Sequence, residues 1–259
     1  MVPRESKKPR FTIRAVSGLL IPMQAGLYIV GTPIGNLGDL SARAIEILKE
    51  VELIVAEDTR QTRKLLSRFD FHTPLQSCHK FNEVSRIDGV LDRIRRGGAV
   101  ALTSDSGMPG ISDPGTRLIA ACHEQGLSVT AVPGPTAVTT AIALSGWGEQ
   151  GFIFIGFPPR KPGRLKKVLN RWIHTGLPLV LYESPYRLLK LIDIAEELTG
   201  PDRLFFAARE LTKKFEELTR GTAATIRAAY QGREIKGECV LIIGPAEAEA
   251  EEPDPETAE

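Results

Sequence analysis

Ala99-Val100-Ala101-Leu102-Thr103-Ser104-Asp105-Ser106-Gly107-Met108-Pro109-Gly110-Ile111-Ser112-Asp113-Pro114-Gly115 is the stretch that decides the fold class. Its first five residues form a short, largely apolar run with the length and composition of a buried strand. The next twelve, Ser104 to Gly115, carry three glycines, two prolines and two aspartates. Connections in α/β units usually need only about two to six residues, so this loop does more than join two elements. The loop ends in Asp113-Pro114, which reads as an N-cap followed by a proline at the first helical position. A helix is therefore expected to start there.

Working outward, the same alternation of short apolar runs with helical periods recurs. Upstream strands are expected at Leu27 to Val30 and Leu53 to Ala56, and a downstream one at Leu127 to Val132. Between them lie an amphipathic segment Ala42 to Val51 behind a Ser41 cap, and Val84 to Arg96 with Val84, Ile87, Leu91 and Ile94 on one stripe. This is the pattern of an α/β fold with a mainly parallel sheet. Ser145 to Gly151 carries three glycines and no regular period, so the boundary between two α/β domains, 26–146 and 151–245, is placed there. Beyond it, Phe152 to Phe157, Pro178 to Tyr182, Arg203 to Ala208 and Glu238 to Ile243 read as strands, and Arg164 to His174 and Pro185 to Leu198 as helices.

A chain of 259 residues, 42% apolar and 25% charged, can bury a full core and divide in two. Its net charge is +1, but the charge is unevenly placed. Residues 1–25 hold five basic residues and one acidic, and the tail 246–259 holds seven acidic and none basic; both segments are expected to be disordered. The body keeps 28 basic against 24 acidic residues, about +4, which permits a polyanionic partner without requiring one. Cys78, Cys122 and Cys239 are isolated and odd in number, against a disulfide framework or zinc knuckle and in keeping with a reducing cytoplasm. The basic start imitates a signal peptide, yet Pro22 and Gln24 interrupt its apolar run, which leads straight into the first strand. No uninterrupted run of about 20 apolar residues is present for a membrane helix.

Ligands of open α/β sheets gather beyond the carboxyl ends of the strands, and four loops there are unusual. Gly31-Thr32-Pro33-Ile34-Gly35-Asn36-Leu37-Gly38-Asp39 follows the first strand, with a spacing that is neither a dinucleotide fingerprint nor a P-loop. Glu57-Asp58-Thr59-Arg60 follows the second; it is equally readable as a helix cap with a surface ion pair. The Ser104–Gly115 loop is the third, and Pro133-Gly134-Pro135-Thr136 before another apolar helix is the fourth.

Together these loops resemble the RNA-methylating branch of the tetrapyrrole-methylase family, which methylates the ribose 2′-hydroxyl of a cytidine in small-subunit ribosomal RNA. Thr32–Asp39, Ala56–Arg60, Ser104–Gly115 and Val132–Ala137 are similar to its T-x-I-G-N-L-x-D, A-E-D-T-R, S-D-A-G-x-P-x-I-S-D-P-G and V-P-G-P-S-A motifs. Phe154–Lys161, Tyr182–Arg187 and Ala208–Lys213 are similar to F-x-G-F-L-P-R-K, Y-E-S-P-H-R and x-R-E-L-T-K, which makes seven ordered matches. Ser106, Met108, Thr136, Pro158 and Tyr186 depart from the family pattern. Tyr186 replaces an ionisable imidazole by a phenol of pKa about 10, which weakens any mechanism needing a base there.

The resemblance implies a two-domain fold of a mainly parallel sheet and a mixed sheet, with S-adenosylmethionine folded in the cleft between them. By motif, its contacts would be Pro33 in the first loop; Ser104, Asp105, Gly107, Pro109, Ile111 and Ser112 in the third; Pro133, Gly134, Thr136 and Ala137 in the fourth; and Tyr182. A homodimer is implied as well, with no membrane and no metal. The four histidines, His72, His79, His123 and His174, show no ligand spacing.

Methyl transfer from a sulfonium mainly requires alignment. A ribose hydroxyl must also lose its proton, so a base or an alkoxide-stabilising cation is sought. Glu183, Glu210, Asp58 and Glu57 are candidate acceptors and Arg60, Arg209 and Lys213 candidate cations, with Glu183 and Arg209 placed first because each sits at a strand end inside a motif. A structural ion pair is the other reading of both. Arg160, Lys161, Arg164, Lys166 and Lys167 concentrate cations before Arg171 and Trp172, and would reach RNA phosphates; the other reading is a solvated helix face. His79-Lys80-Phe81-Asn82-Glu83 is a further family-like segment. Methylation of a tetrapyrrole-like small molecule and a non-catalytic S-adenosylmethionine-binding role remain as alternatives.

Overall fold

The computed structural model describes residues 23–79 and 83–246. The basic extension up to residue 22, the acidic tail from 247, Lys80-Phe81-Asn82 and the Val84 side chain lie outside the described residues.

The first half contains β1 (Gly26–Val30), β2 (Leu53–Ala56), β3 (Leu75–Ser77), β4 (Ala99–Thr103) and β5 (Val129–Val132), in the order β3-β2-β4-β1-β5. Every pairing is parallel. Helices α1 (Ala42–Glu50), α2 (Thr59–Arg68), α3 (Glu83–Arg95) and α4 (Thr116–Glu124) cover both faces, which is why β1, β2 and β4 read as unbroken apolar runs. Successive side chains divide between the faces. Leu27, Ile29, Val55 and Leu102 meet Leu91 and Ile94 of α3 and Leu118 of α4. Tyr28, Val30, Ile54 and Ala101 meet Ala44 and Leu48 of α1 and Leu66 of α2.

The second half forms a mixed sheet of β6 (Ile153–Phe154), β7 (Leu179–Glu183), β8 (Leu204–Arg209), β9 (Glu217–Thr222) and β10 (Cys239–Ile243), in the order β6-β7-β10-β8-β9. Only β6 and β7 run parallel. One face packs on α6 (Pro162–Trp172), α7 (Leu188–Thr199) and α8 (Ala223–Tyr230), with Phe205, Leu181 and Leu241 against Leu169, Leu191 and Ile226. Val180, Phe206, Val240 and Ile242 of the opposite face pack against Val138, Ala141 and Ile142 of α5 (Ala137–Ser145). The last helix of the first half thus roofs the sheet of the second. Each fully buried aliphatic or aromatic side chain here contributes about 1.5–3 kcal/mol.

Four expectations are corrected. The helix after the long loop starts at Thr116 with Gly115 as N-cap and no side-chain cap bond, instead of at the Asp113-Pro114 pair. Gly115 has φ 115°, and a Cβ there would lie 2.6 Å from Leu102 Cδ2, so the chain must pass this point as glycine before it can wind into a helix. Asp113 is left outside the helix. The strand expected from Leu127 starts at Val129, because Leu127 N–H closes the end of α4 on the Cys122 carbonyl at 2.9 Å. The strand expected over Phe152 to Phe157 is only two residues long in its paired part, and Gly156 at φ 65° turns the chain away. Pro162 at the first turn starts α6 two residues before the expected Arg164.

Candidate active site

A cavity of about 280 Å³ lies between the two halves, close to the lower end of the range typical of small-molecule sites. The first half contributes Ile34 from the loop after β1, Gly107, Ile111, Ser112 and Asp113 from the loop after β4, and Thr136 and Ala137 at the start of α5. The second half contributes Phe157, the stretch Tyr182 to Pro185, Leu211, and Glu238 to Val240.

Backbone geometry shapes the first wall. Thr32 and Gly107 exchange two main-chain hydrogen bonds, of 2.9 and 3.1 Å, which tie the loop after β4 to the loop after β1. The Thr32 hydroxyl adds a bond to the Ser104 carbonyl at 3.2 Å. Gly31 and Gly134 touch backbone to backbone, since a Cβ on Gly31 would stand 2.7 Å from Gly134 Cα. Ser112, Glu210 and Thr212 are non-glycine residues at positive φ, 66°, 52° and 64°, all on loops beside the cleft. Such conformations cost about 1–3 kcal/mol each and concentrate at functional sites. The two halves also meet here, because a Cβ on Gly156 would lie 2.7 Å from the Ser112 hydroxyl.

The second wall is held by Tyr182. Its hydroxyl accepts the Val138 N–H in the first turn of α5 at 3.1 Å, and its ring packs edge-on against Phe154 at 4.9 Å and Phe157 at 5.5 Å. Burial raises its phenol pKa, so it stays neutral. Glu183 is 4% exposed. Its Oε1 accepts the Ser184 N–H at 2.7 Å, while Oε2 stands 3.2 Å from an Arg187 nitrogen in an ion-pair contact without hydrogen-bond geometry. A buried carboxylate oxygen in the cavity wall is thereby left short of a donor.

The first half carries a group of mutually repelling carboxyls. Burial, then the charges of Glu57 and Asp105, push Asp113 up to about 7, although a bond from Ser104 works the other way. Glu57 and Asp105 are also raised, chiefly by burial. Asp58 instead caps α2 and pairs with Arg60 at 2.6 Å, which holds its carboxyl down at about 2. Its N–H donates to Asp105 at 3.0 Å.

The expected site residues divide accordingly. Gly107, Ile111, Ser112, Thr136, Ala137, Tyr182 and Glu183 line the cavity. Ser104 is buried behind the loop, Gly134 backs onto Gly31, Asp105 faces Asp58, and Pro33, Pro109 and Pro133 share the loops without forming the wall. Arg209 and Glu210 line a neighbouring cavity of about 300 Å³ that shares Gly237 with the first. Arg209 bonds Glu217 at 3.0 Å and the carbonyls of Lys236 and Phe215. Lys213 bonds Glu210 at 2.7 Å and Glu238 at 2.8 Å; burial pulls its ammonium down, but these two carboxylates outweigh that and hold its pKa above the ordinary value. Asp58 and Arg60 stay at the α2 cap, so the candidate catalytic groups do not converge on one point. On α6 and the loop before it, Arg160, Lys161, Arg164 and Lys167 are exposed with no carboxylate partner among the described residues, Lys166 pairs with Glu197, and Arg171 lies 4.7 Å over the Trp172 ring. The sequence reading missed Asp113, disguised as a helix cap, and Leu211, Glu238 and Val240, which reach the cleft only through the fold.

Residues 26–227 match the family of tetrapyrrole (corrin/porphyrin) methylases. The chain belongs to this family. Among curated relatives of this methylase, ribosomal RNA small subunit methyltransferase I of Synechocystis is 43% identical over 86% of the chain and 80% of the relative. The protein of the same name from Thermotoga maritima is 42% identical over 85% and 99%. Solved structures with the same fold include cobalt precorrin-4 methyltransferase, at 16% identity and TM-score 0.62 over 84% of the chain and 94% of that chain. The methyltransferase CobJ aligns at 20% identity and TM-score 0.63 over 86% and 95%. Two α/β halves, one sheet parallel and one mixed, are the common architecture.

Proposed function

We propose that this methylase transfers a methyl group from S-adenosylmethionine to the ribose 2′-hydroxyl of a cytidine in the 16S RNA of the small ribosomal subunit. The observation that carries the reading is the extent of similarity, 42–43% over at least 85% of the chain, to relatives named ribosomal RNA small subunit methyltransferase I. The cleft supports it through its apolar walls of Ile34, Ile111 and Leu211, its underbonded Glu183 carboxylate and the Asp113 carboxyl. These residues fit a ligand with an apolar body, amino or hydroxyl donors and positive charge. S-adenosylmethionine is such a ligand, and when bound it supplies an already activated methyl group on a sulfonium.

The chain's own contribution is to bind, orient and handle one proton. Gly107, Ser112, Thr136 and Ala137 offer backbone and small side chains for close approach. Asp113, once ionised, complements a cation. Glu183 is the carboxylate best placed to take the hydroxyl proton, because it alone of the acceptors expected from sequence lies in the cavity wall. Lys213, bonded to Glu210 and to the wall residue Glu238, adds positive charge next to the cleft. The unpaired cations of α6 and its preceding loop would hold the RNA backbone. The protein is further proposed to act in the cytoplasm, as a homodimer and without a metal.

The deciding assay is transfer of labelled methyl from S-adenosylmethionine to small subunits lacking the modification, followed by nucleoside mass analysis. Recovery of 2′-O-methylcytidine is expected. If neither subunits nor naked RNA gain label, the RNA reading is wrong; label on a tetrapyrrole would then replace it.

A further inference from the structure

We propose that Phe157 and Tyr186 form a stacking platform at the mouth of the cleft, holding the base of the methyl-accepting nucleotide while its ribose enters the cavity. The inference rests on the RNA reading above and assigns two residues that give that substrate its place.

Tyr186 is 78% exposed and Phe157 65%. Single exposed apolar side chains are ordinary, but one of these lines the cleft and the other is carried by the turn that begins at a lining residue. Phe157 forms part of the cavity wall, and Tyr186 directly follows Pro185, which forms another part. Neither ring is on a loose segment. Phe157 is held edge-on by Tyr182 at 5.5 Å, and Tyr182 is fixed in turn by the start of α5. Tyr186 sits in the 3-10 turn Pro185–Arg187, and Arg187 donates to the Pro159 carbonyl at 3.4 Å while contacting Glu183. The loops bearing the two rings are therefore latched together, so little ordering is left for the moment of binding.

The chemistry of the opening selects a nucleobase. A 2′-hydroxyl can reach a buried carboxylate only if its nucleotide leaves the stack, and a splayed base needs an aromatic face to replace its lost neighbours. Charge flanks both rings. Arg160 and Lys161 follow Phe157 within four residues, positions suited to the phosphates beside the splayed nucleotide, while Lys236, within electrostatic reach of Tyr186, is paired with Glu234 at 2.8 Å. Phenol and phenyl rings serve equally as stacking faces, so the tyrosine that departs from the family pattern at 186 keeps this role without acting as a base.

The test uses the full-length protein and small subunits lacking the modification. Tyr186→Leu and Phe157→Leu are each expected to lower kcat/KM for subunits about five- to hundredfold, the range for loss of one base–aromatic stack. Tyr186→Leu should leave the Kd for S-adenosylmethionine and the sedimentation coefficient unchanged. Tyr186→Phe, which keeps the ring face, should restore the rate lost in Tyr186→Leu. If the wild type transfers methyl and both leucine variants match it, the platform is refuted while the RNA reading stands. A Tyr186→Leu variant that changes oligomeric state or cofactor affinity, with its per-site rate intact, assigns the ring to an interface or to the cofactor and likewise overturns the proposal. A wild type inactive on all RNA removes both.

Discussion

Replacing Asp113 by Asn should make the ligand-free protein more stable at pH 8 and remove most of the pH dependence of cofactor binding. The folded-state pKa of Asp113, about 7, lies above its ordinary value of 3.8 because of burial and the charges of Glu57 and Asp105. Between those two pH values the folded protein keeps a proton that the unfolded chain has released. Stability therefore falls as pH rises through this window, and the loss is complete above about 7. At full weight the displacement corresponds to about 4 kcal/mol. Asp113 is partly exposed, and solvent screening reduces this to about 1–2 kcal/mol. Urea denaturation of both proteins at pH 5, 6, 7 and 8 should give stabilities already apart at pH 5, further apart up to about pH 7, and no further apart at pH 8. Calorimetry over the same range should show wild-type affinity for S-adenosylmethionine rising by up to about tenfold per pH unit below 7, with a flatter profile for Asp113→Asn. A wild-type stability independent of pH, or a variant that shifts stability equally at pH 5 and pH 8, would refute the reasoning.

Three further outcomes are expected. Glu183→Gln should keep cofactor binding and lower kcat about 10²–10⁴-fold if Glu183 is the proton acceptor; a variant that loses stability but keeps its rate per folded molecule would mark the Arg187 contact as purely structural. Gly31→Ala forces a Cβ to within 2.7 Å of Gly134 Cα and 2.6 Å of Met108 Sδ, so denaturation should show a loss of about 1–3 kcal/mol, together with weaker cofactor binding as the wall shifts. Joint replacement of Arg160, Lys161 and Arg164 by Ala should weaken RNA association and reduce the slope of log K against log salt by about 2, while S-adenosylmethionine binding is retained; an unchanged slope would place the RNA elsewhere.

Much of this architecture is legible in the chain because its signals are local. β2 and β4 were marked end to end by apolar runs, and Ser41 announced α1 through a cap that the structure realises with a bond to the Ala44 N–H at 3.1 Å. Elements with weak burial escaped. Helix α2 is amphipathic but polar overall and buries only Thr62 and Leu66, β3 is a three-residue edge strand, and β9 alternates partly buried and exposed residues at the other edge, so none offers a conspicuous apolar run. In the site, the glycine- and proline-rich loops could be found from composition, since backbone constraint is written in those residue types. The role of Asp113 could not, because Asp-Pro has the same local form at a helix start as in a cleft wall. What separated the two was Leu102, which lies 11 positions away in sequence from Asp113 and fills the space where a Cβ on Gly115 would sit. The walls contributed by Leu211 and Glu238 depend on strand order, which no local pattern encodes.

Helix α5 belongs by connectivity to the first half and by packing to the second sheet. With its Val138 N–H bonded to Tyr182 and its apolar side chains among those of β7, β8 and β10, it acts as a bolt across the groove. If the groove stays bolted when RNA binds, the work of exposing the target sugar falls on the substrate. Extruding a paired, stacked nucleotide costs a few kcal/mol and one already unpaired costs least. Selectivity would then be set partly by how easily each site on the ribosomal subunit distorts, and a site locked by neighbouring proteins or base pairs would be passed over even with the correct base in place.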